Sequence, residues 1–238
     1  MSFGGFQPRI YKKQGKKFPS ATSVLSLENK PALIQWAANC TSDYVLQILD
    51  SFNNEMILPS EIRGQVFQAR YNYKSVGKEA TDIGTEAHDA IEHYFKEGEL
   101  PDLKTVEAMS AVLSFLEWWE SVDAEVLSME KKIFGDGYAG RYDMVANIDG
   151  KITLIDFKTS KAVYPNMGYQ LAGYRKAYND SLKKKQAPIE EHAILRLPKE
   201  GQNFEYADFT EKYEQDLEIF MTYVRLFHLL YGDSLKEQ

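Results

Sequence analysis

Tyr138-Ala-Gly-Arg-Tyr-Asp-Met-Val-Ala-Asn-Ile-Asp-Gly-Lys-Ile-Thr-Leu-Ile-Asp-Phe-Lys-Thr-Ser-Lys161 consists of two strand-forming runs around Asp149-Gly150. That dipeptide suits the two-residue type I′ turn of a β-hairpin. The turn pairs Ile148 with Lys151 and, counting outward, Asp143 with Asp156. Residues so opposed share one face of a sheet, with Cβ atoms about 4.5–5.5 Å apart. Lys158 lies two residues beyond Asp156 and falls on the same face. Two opposed carboxylates are destabilising alone, so this pattern asks for a cation, and a divalent metal is the natural candidate. Ile152, Thr153, Leu154, Ile155 and Phe157 make the second run apolar on both faces, as in a central strand. Charges on such a strand cost several kcal/mol unless paired or metal-bound. The same register sets Arg141 opposite Lys158, where it could balance the acids as a purely structural network.

Outward from the hairpin, residues 126–134 read as a strand, 165–181 as a helix, and 192–197 and 204–209 as strands around Gly201-Gln202-Asn203. Thr210 caps a C-terminal helix over about 213–230. Before residue 125 the pattern is helical. One helix starts at Asn29-Lys30-Pro31, a second is capped by Thr41 or Ser42 and runs to Leu49, and a third opens at Pro59-Ser60 and runs towards Tyr73. Helices over 78–97 and 103–122 follow. The reading is an α/β core with a helical lobe in front: a basic flexible arm over 1–20, a helical lobe over 21–124 carrying His88, and a core over 125–238.

A chain of 238 residues suffices for one sizeable core, and 44% hydrophobic with 26% charged residues is ordinary for a soluble protein. No apolar run approaches the roughly 20 residues that cross a bilayer, and the start lacks the apolar stretch of a secretory signal; the expectation is a cytoplasmic protein with no membrane partner. The single cysteine, Cys40, excludes an intramolecular disulfide framework and a four-cysteine iron–sulfur or zinc site. The net charge of −7 is segregated: residues 1–20 hold Arg9, Lys12, Lys13, Lys16 and Lys17 with no acid, interleaved with Phe3, Phe6, Tyr11 and Phe18. That mixture suits phosphate contact and base stacking; a solubilising tail or a targeting segment gives the same composition. Lys183-Lys184-Lys185 reads as a solvated loop.

Gly140-Arg141-Tyr142-Asp143, Asp156-Phe157-Lys158 and Gln170-Leu171-Ala172-Gly173-Tyr174 resemble the core of the PD-(D/E)XK nucleases, in particular the RecB-like branch with its Gly-x-x-Asp, Asp-x-Lys and Gln-x-x-x-Tyr elements. Gly84-Thr85-Glu86-Ala87-His88 is similar to that branch's upstream histidine helix. Ala21–Ser26 and Pro31–Trp36 look, more loosely, like the start of phage and mitochondrial single-strand exonucleases. The resemblance implies a mixed central sheet flanked by helices (a restriction-endonuclease-like core) and a stand-alone deoxyribonuclease acting on single-stranded DNA ends. It also implies Mg²⁺ or Mn²⁺ held by Asp143, Asp156 and the Phe157 carbonyl, a catalytic Lys158, and His88 as a second-metal ligand or phosphate contact. Gln170 and Tyr174 would contact the substrate backbone or position Lys158.

Each of these residues has a plainer reading. His88 suits an ordinary helix histidine beside Ala87 and Ile91. Gln170 and Tyr174, one turn apart, suit surface and core. Glu130, on the strand before the hairpin, is either a third metal carboxylate or a surface partner of Lys131 or Lys132. Arg196, between Leu195 and Leu197, is a candidate phosphate contact, and Trp118-Trp119 read as core rather than a stacking platform. Members of the branch that carry a cysteine-ligated cluster differ from this chain, which has no cysteines for one. Rival functions are a non-catalytic DNA-binding module, an endonuclease or resolvase, and an RNA-directed enzyme; a recombination or replication protein partner is unspecified.

Overall fold

Asp149 and Gly150 both take positive φ, 50° and 86°, the backbone of a type I′ turn, and Ile148 faces Lys151 across it. This computed structural model describes residues 7–52, 59–184, 186–201 and 203–237. Phe3, Phe6, Lys185 and Gln202 lie outside the described residues. The hairpin strands are β4 (Ala139–Ile148) and β5 (Lys151–Lys158), and β3 (Ala124–Phe134), β6 (Glu191–Arg196) and β7 (Glu205–Asp208) complete a five-stranded sheet in the order β3-β4-β5-β6-β7. All neighbours are antiparallel except β5 and β6, which run parallel. A parallel pair needs a crossover, and helix α6 (Pro165–Asp180), begun by a proline at its first turn, supplies it.

Helices cover both faces of this sheet. On one face α1 (Ala21–Leu25), α6 and α7 (Tyr213–Glu237) pack Val24, Leu171, Phe220 and Phe227 against Val145, Leu154 and Ile194. On the other, the last turns of α4 (Asn72–Glu97) and helix α5 (Val106–Glu120) pack Ala87, Ile91, Phe115 and Trp118 against Met144, Ile155, Phe157 and Leu195. Leu154 and Ile155 are fully buried and Phe157 nearly so, each worth about 1.5–3 kcal/mol of apolar transfer. The core role expected for Trp118 holds at 2% exposure. The architecture is therefore mixed α/β, a five-stranded mixed sheet between helices.

The chain divides into one unit of residues 1–27 and 86–238 and another of residues 28–85, not into lobe and core at residue 125. The boundary moves because Ala87, Ala90 and Ile91 belong to the sheet's own core, which draws the His88 helix into the first unit. In the second unit α2 (Pro31–Ser51) is continuous through Thr41 and Ser42. The two hydroxyls bond back to Ala37 and Ala38 carbonyls one turn earlier instead of capping a new helix. Helix α3 (Pro59–Ala69) contacts α2, and Asn72 at the start of α4 donates to the Cys40 carbonyl at 3.1 Å.

The basic arm is also corrected. Its residues 10–19 form a hairpin, β1 (Ile10–Lys13) with β2 (Lys16–Pro19), around Gln14-Gly15 at φ 50° and 76°. Tyr11 and Phe18 face each other across it and meet Phe134 edge-on, at 6.3 and 5.5 Å between ring centres. Aromatic anchorage of that kind holds a short hairpin that water alone would leave marginal. Among the described residues, no helix is long and apolar enough to cross a membrane.

Candidate metal centre

Pairing of β4 with β5 stops at Met144 and Ile155, one residue short of the acids. In a continuing ladder the Phe157 N–H would point at Tyr142. Instead it donates to Asp143 Oδ2 at 2.7 Å. The N–H and C=O of one strand residue point to the same side, so the Phe157 carbonyl also faces the gap where β4 departs. The turn register thus holds over its first five pairs and fails at the sixth. Asp143 and Asp156 flank a parting of strands and are no ladder pair; Arg141 does not face Lys158 but Lys132 on β3.

On the β3 side, Glu130 lies between the pairs Met129–Met144 and Lys131–Tyr142 with φ 53°. A left-handed conformation costs a residue with a side chain about 1–3 kcal/mol. Here it accompanies convergence: one ligand atom from each of His88, Glu130 and Asp143 lies within 4.8 Å of the other two. His88 Nδ1 is 3.6 Å from Asp143 Oδ1, and its ring stands edge-on to Phe157 at 5.6 Å. The apolar residues on either side of His88 in sequence fix the helix against the sheet, so the imidazole is delivered to the gap by packing.

Beside this trio, Asp156 is 2% exposed and ion-paired to Lys158. Gln170 Nε2 donates to Asp156 Oδ1 at 3.2 Å, and the Tyr174 hydroxyl is bonded to Gln170. Gln170 is therefore buried on the acid, against its surface reading, whereas Tyr174 lies in the hydrophobic core, as its plainer reading expects. Gly140 completes this side: a Cβ there would lie 2.2 Å from Tyr174 Cε1. Gly140→Ala is accordingly expected to lower stability by about 1–3 kcal/mol through overpacking. Urea denaturation checks this, and an unchanged midpoint would show that Tyr174 is free to move.

Burial and charge pull the groups of this site in opposite directions. Burial pushes the Asp156 carboxyl up to about 6, against the pull of the Lys158 ammonium. Burial and then the nearby Asp143 charge push Glu130 up to about 7, opposed by Arg141. Burial also acts to raise Asp143, but the charge and hydrogen bond of His88, with Lys158 and the Phe157 N–H, hold it below the ordinary carboxylate range. For His88, burial lowers the imidazole, yet Asp143 outweighs it and leaves the pKa above 6.5. Lys158 behaves alike: burial lowers it, Asp156 and Asp143 raise it further, and the amine stays protonated at neutral pH.

This donor set fits a hard divalent ion. One imidazole nitrogen with carboxylate oxygens suits Mn²⁺ and Mg²⁺. Two ligands about 2.0–2.2 Å from one ion stand roughly 3–4.4 Å apart, from cis to trans, and the 3.6 Å between His88 Nδ1 and Asp143 Oδ1 lies within that range. A ligating imidazole must be neutral and a carboxylate ionised, so an ion held by this trio at pH 7 would displace protons from His88 and Glu130.

Other sequence candidates lie elsewhere. Arg196 pairs in register with Lys158, but its guanidinium bonds Glu205 at 2.6 Å, and it lines a cavity of about 290 Å³ with Thr159, Ser160, Lys161 and Lys199. Lys12, Lys13, Lys16 and Lys17 ride on the β1–β2 hairpin; Lys13 stands 4.7 Å above the Phe134 ring. Sequence reading overlooked Glu92. It is one turn after His88 and 3.8 Å from Arg141, which also ion-pairs with Glu130 and donates to its carbonyl. The Glu92–Arg141–Glu130 chain holds the strained residue, and its signal was the i, i+4 spacing from His88.

No family model matches the chain, and neither does any curated protein. Among solved structures, one described as "Crystal structure of SSO0001" is similar over 60% of this chain and 74% of that one, at 16% identity and a TM-score of 0.26, a likeness too slight to bear on the argument.

Proposed function

We propose that this chain is a divalent-metal-dependent deoxyribonuclease with the restriction-endonuclease-like core of the PD-(D/E)XK group, RecB-like branch, and that it acts as an exonuclease on single-stranded DNA ends. The observation that carries the reading is the parting of β4 from β5, where Asp143 gathers His88, Glu130 and the Phe157 amide beside the Asp156–Lys158 pair. His88, Glu130, Asp143, Asp156 and the Phe157 carbonyl would hold the ion. When bound, the ion neutralises the phosphate and makes its attacking water more acidic. Lys158 has two uses. As an ammonium it stabilises charge on the phosphate oxygens. Once the acids' charge is compensated, burial acts on it unopposed and lowers its pKa, the condition for taking a proton from water. Gln170 and Tyr174 keep Asp156 oriented. The β1–β2 hairpin supports a polyanionic partner, because Lys12 faces Lys17 and Lys13 faces Lys16, like-charge pairs that a phosphate backbone relieves. Such an enzyme works inside the cell, in repair, recombination or phage genome processing.

The test is digestion of end-labelled single- and double-stranded DNA and of circular single strands, with Mg²⁺, Mn²⁺ or chelator. Mononucleotide release from linear single strands, abolished by chelator, is expected. Cutting of circles would make the enzyme an endonuclease, and metal-dependent binding without any cleavage would favour the accessory-module reading.

A further inference from the structure

The 28–85 unit carries a surface that the catalytic reading leaves unused. From Ile62 to Lys78 the chain holds Arg63, Arg70, Lys74 and Lys78 and no acid, within a protein of net charge −7. Arg63, Phe67, Arg70 and Lys74 recur at steps of four, three and four, the period of one helix face. Backbone bonds from Tyr71 N to Gln68 O and from Lys74 N to Tyr71 O, both 2.9 Å, carry the chain across the junction of α3 and α4. The inward side of the junction is Ala69, fully buried, and Asn72, bonded to the Cys40 carbonyl. Its outward side is aromatic and basic: Phe67 is 53% and Tyr71 43% exposed. The Arg70 guanidinium sits 3.6 Å from the centre of the Phe67 ring and 4.6 Å from that of Tyr71, and the Lys74 ammonium is 5.2 Å from Tyr71.

Two neighbouring rings, each about half exposed, present flat faces and edges to solvent beside these cations. Cations stacked on them exclude a purely apolar occupant and select a polyanion. Among polyanions, a duplex hides its base faces, whereas a single strand offers both phosphates for the cations and flat bases for the rings. We propose that the Phe67–Arg70–Tyr71 surface, with Arg63 and Lys74, is a base-stacking platform for single-stranded nucleic acid. It takes from the nuclease reading only that the polymer is a nucleic acid, and it adds that the strand is held unpaired by a unit distinct from the one bearing the metal ligands.

The experiment is fluorescence anisotropy of a labelled oligothymidylate with the full chain in chelator, so that no cleavage enters. The expected result is that Phe67→Ala/Tyr71→Ala weakens binding at least tenfold while leaving the salt dependence unchanged. Arg63→Ala/Lys74→Ala should flatten the slope of log Kd against log salt by about 0.7 per lost phosphate contact. A second measurement needs no variant: the unaltered protein should bind an abasic strand of equal length at least tenfold more weakly than the oligothymidylate. Equal binding of abasic and base-bearing strands overturns the proposal. So does oligothymidylate binding unaffected by the aromatic double substitution, or a loss confined to anionic phosphatidylserine vesicles or to a protein partner. Binding of the expected kind by a chain that cleaves no strand in any metal would keep this platform and sink the nuclease; cleavage with base-independent binding would do the reverse.

Discussion

Lys158→Ala should reduce phosphodiester hydrolysis by a factor on the order of 10²–10⁴, the range for removal of a positioned proton-transfer group or of a charge-stabilising donor. Binding of the strand in chelator should change little, since the flanking cations remain. The stability effect has a definite sign. The Asp156 carboxyl already titrates at about 6, above its ordinary value, because burial disfavours its charge. A group whose folded pKa is raised withdraws stability as pH climbs from its unfolded pKa through its folded one. Without the ammonium that pKa rises further. The variant should therefore match the parent protein at pH 4 and fall behind it as pH rises through 6 and beyond. Rates with a linear single strand, together with thermal melts at several pH values, check both parts. Equal loss of cleavage and binding would mean that Lys158 holds the site together and takes no part in the chemistry.

Asp143→Asn should separate the acid's two duties. The amide oxygen still accepts from the Phe157 N–H, so the strand gap survives and the melting temperature changes little. Divalent-ion affinity should fall by at least about 10–100-fold, the loss seen when even an outer partner of a metal ligand is removed, and cleavage should vanish with it. The proton balance should shift as well. Burial lowers the His88 pKa and Asp143 raises it above the ordinary value, so the Asn variant should release fewer protons on Mn²⁺ uptake at pH 7. Titration calorimetry in two buffers of different ionisation enthalpy measures affinity and proton release together. By contrast, Asp143→Ala should also cost about 1–3 kcal/mol, because it strands a buried amide. Unchanged Mn²⁺ affinity in the Asn variant would dismiss the metal centre.

Much of this site could be read from the chain because its information is local. Asp149-Gly150 sets a turn that admits one register, and strand alternation brings Asp156 and Lys158 to a common face. What the register could not disclose is where pairing ends. That depends on Asp143 taking the Phe157 amide, a side-chain-to-backbone bond that competes with the ladder and carries no periodic signature. Glu130 was similarly ambiguous: its left-handed backbone and its tie to Arg141 and Glu92 join three separate elements. The helix histidine was found only through resemblance, since Ala87, Ala90 and Ile91 disclose an apolar face and not what that face docks against. The hairpin of the arm was missed for a different reason. Gln14-Gly15 is a weak turn signal, and four lysines drew attention from the Tyr11–Phe18 pair that anchors it.

The twisted backbone at Glu130 has an evolutionary corollary. Glycine there would relax the chain and give a hardier protein, yet it would subtract the carboxylate that Glu130 brings to the proposed centre. Selection for heat tolerance alone would erase this glutamate, so its persistence among descendants would record demand for turnover over durability.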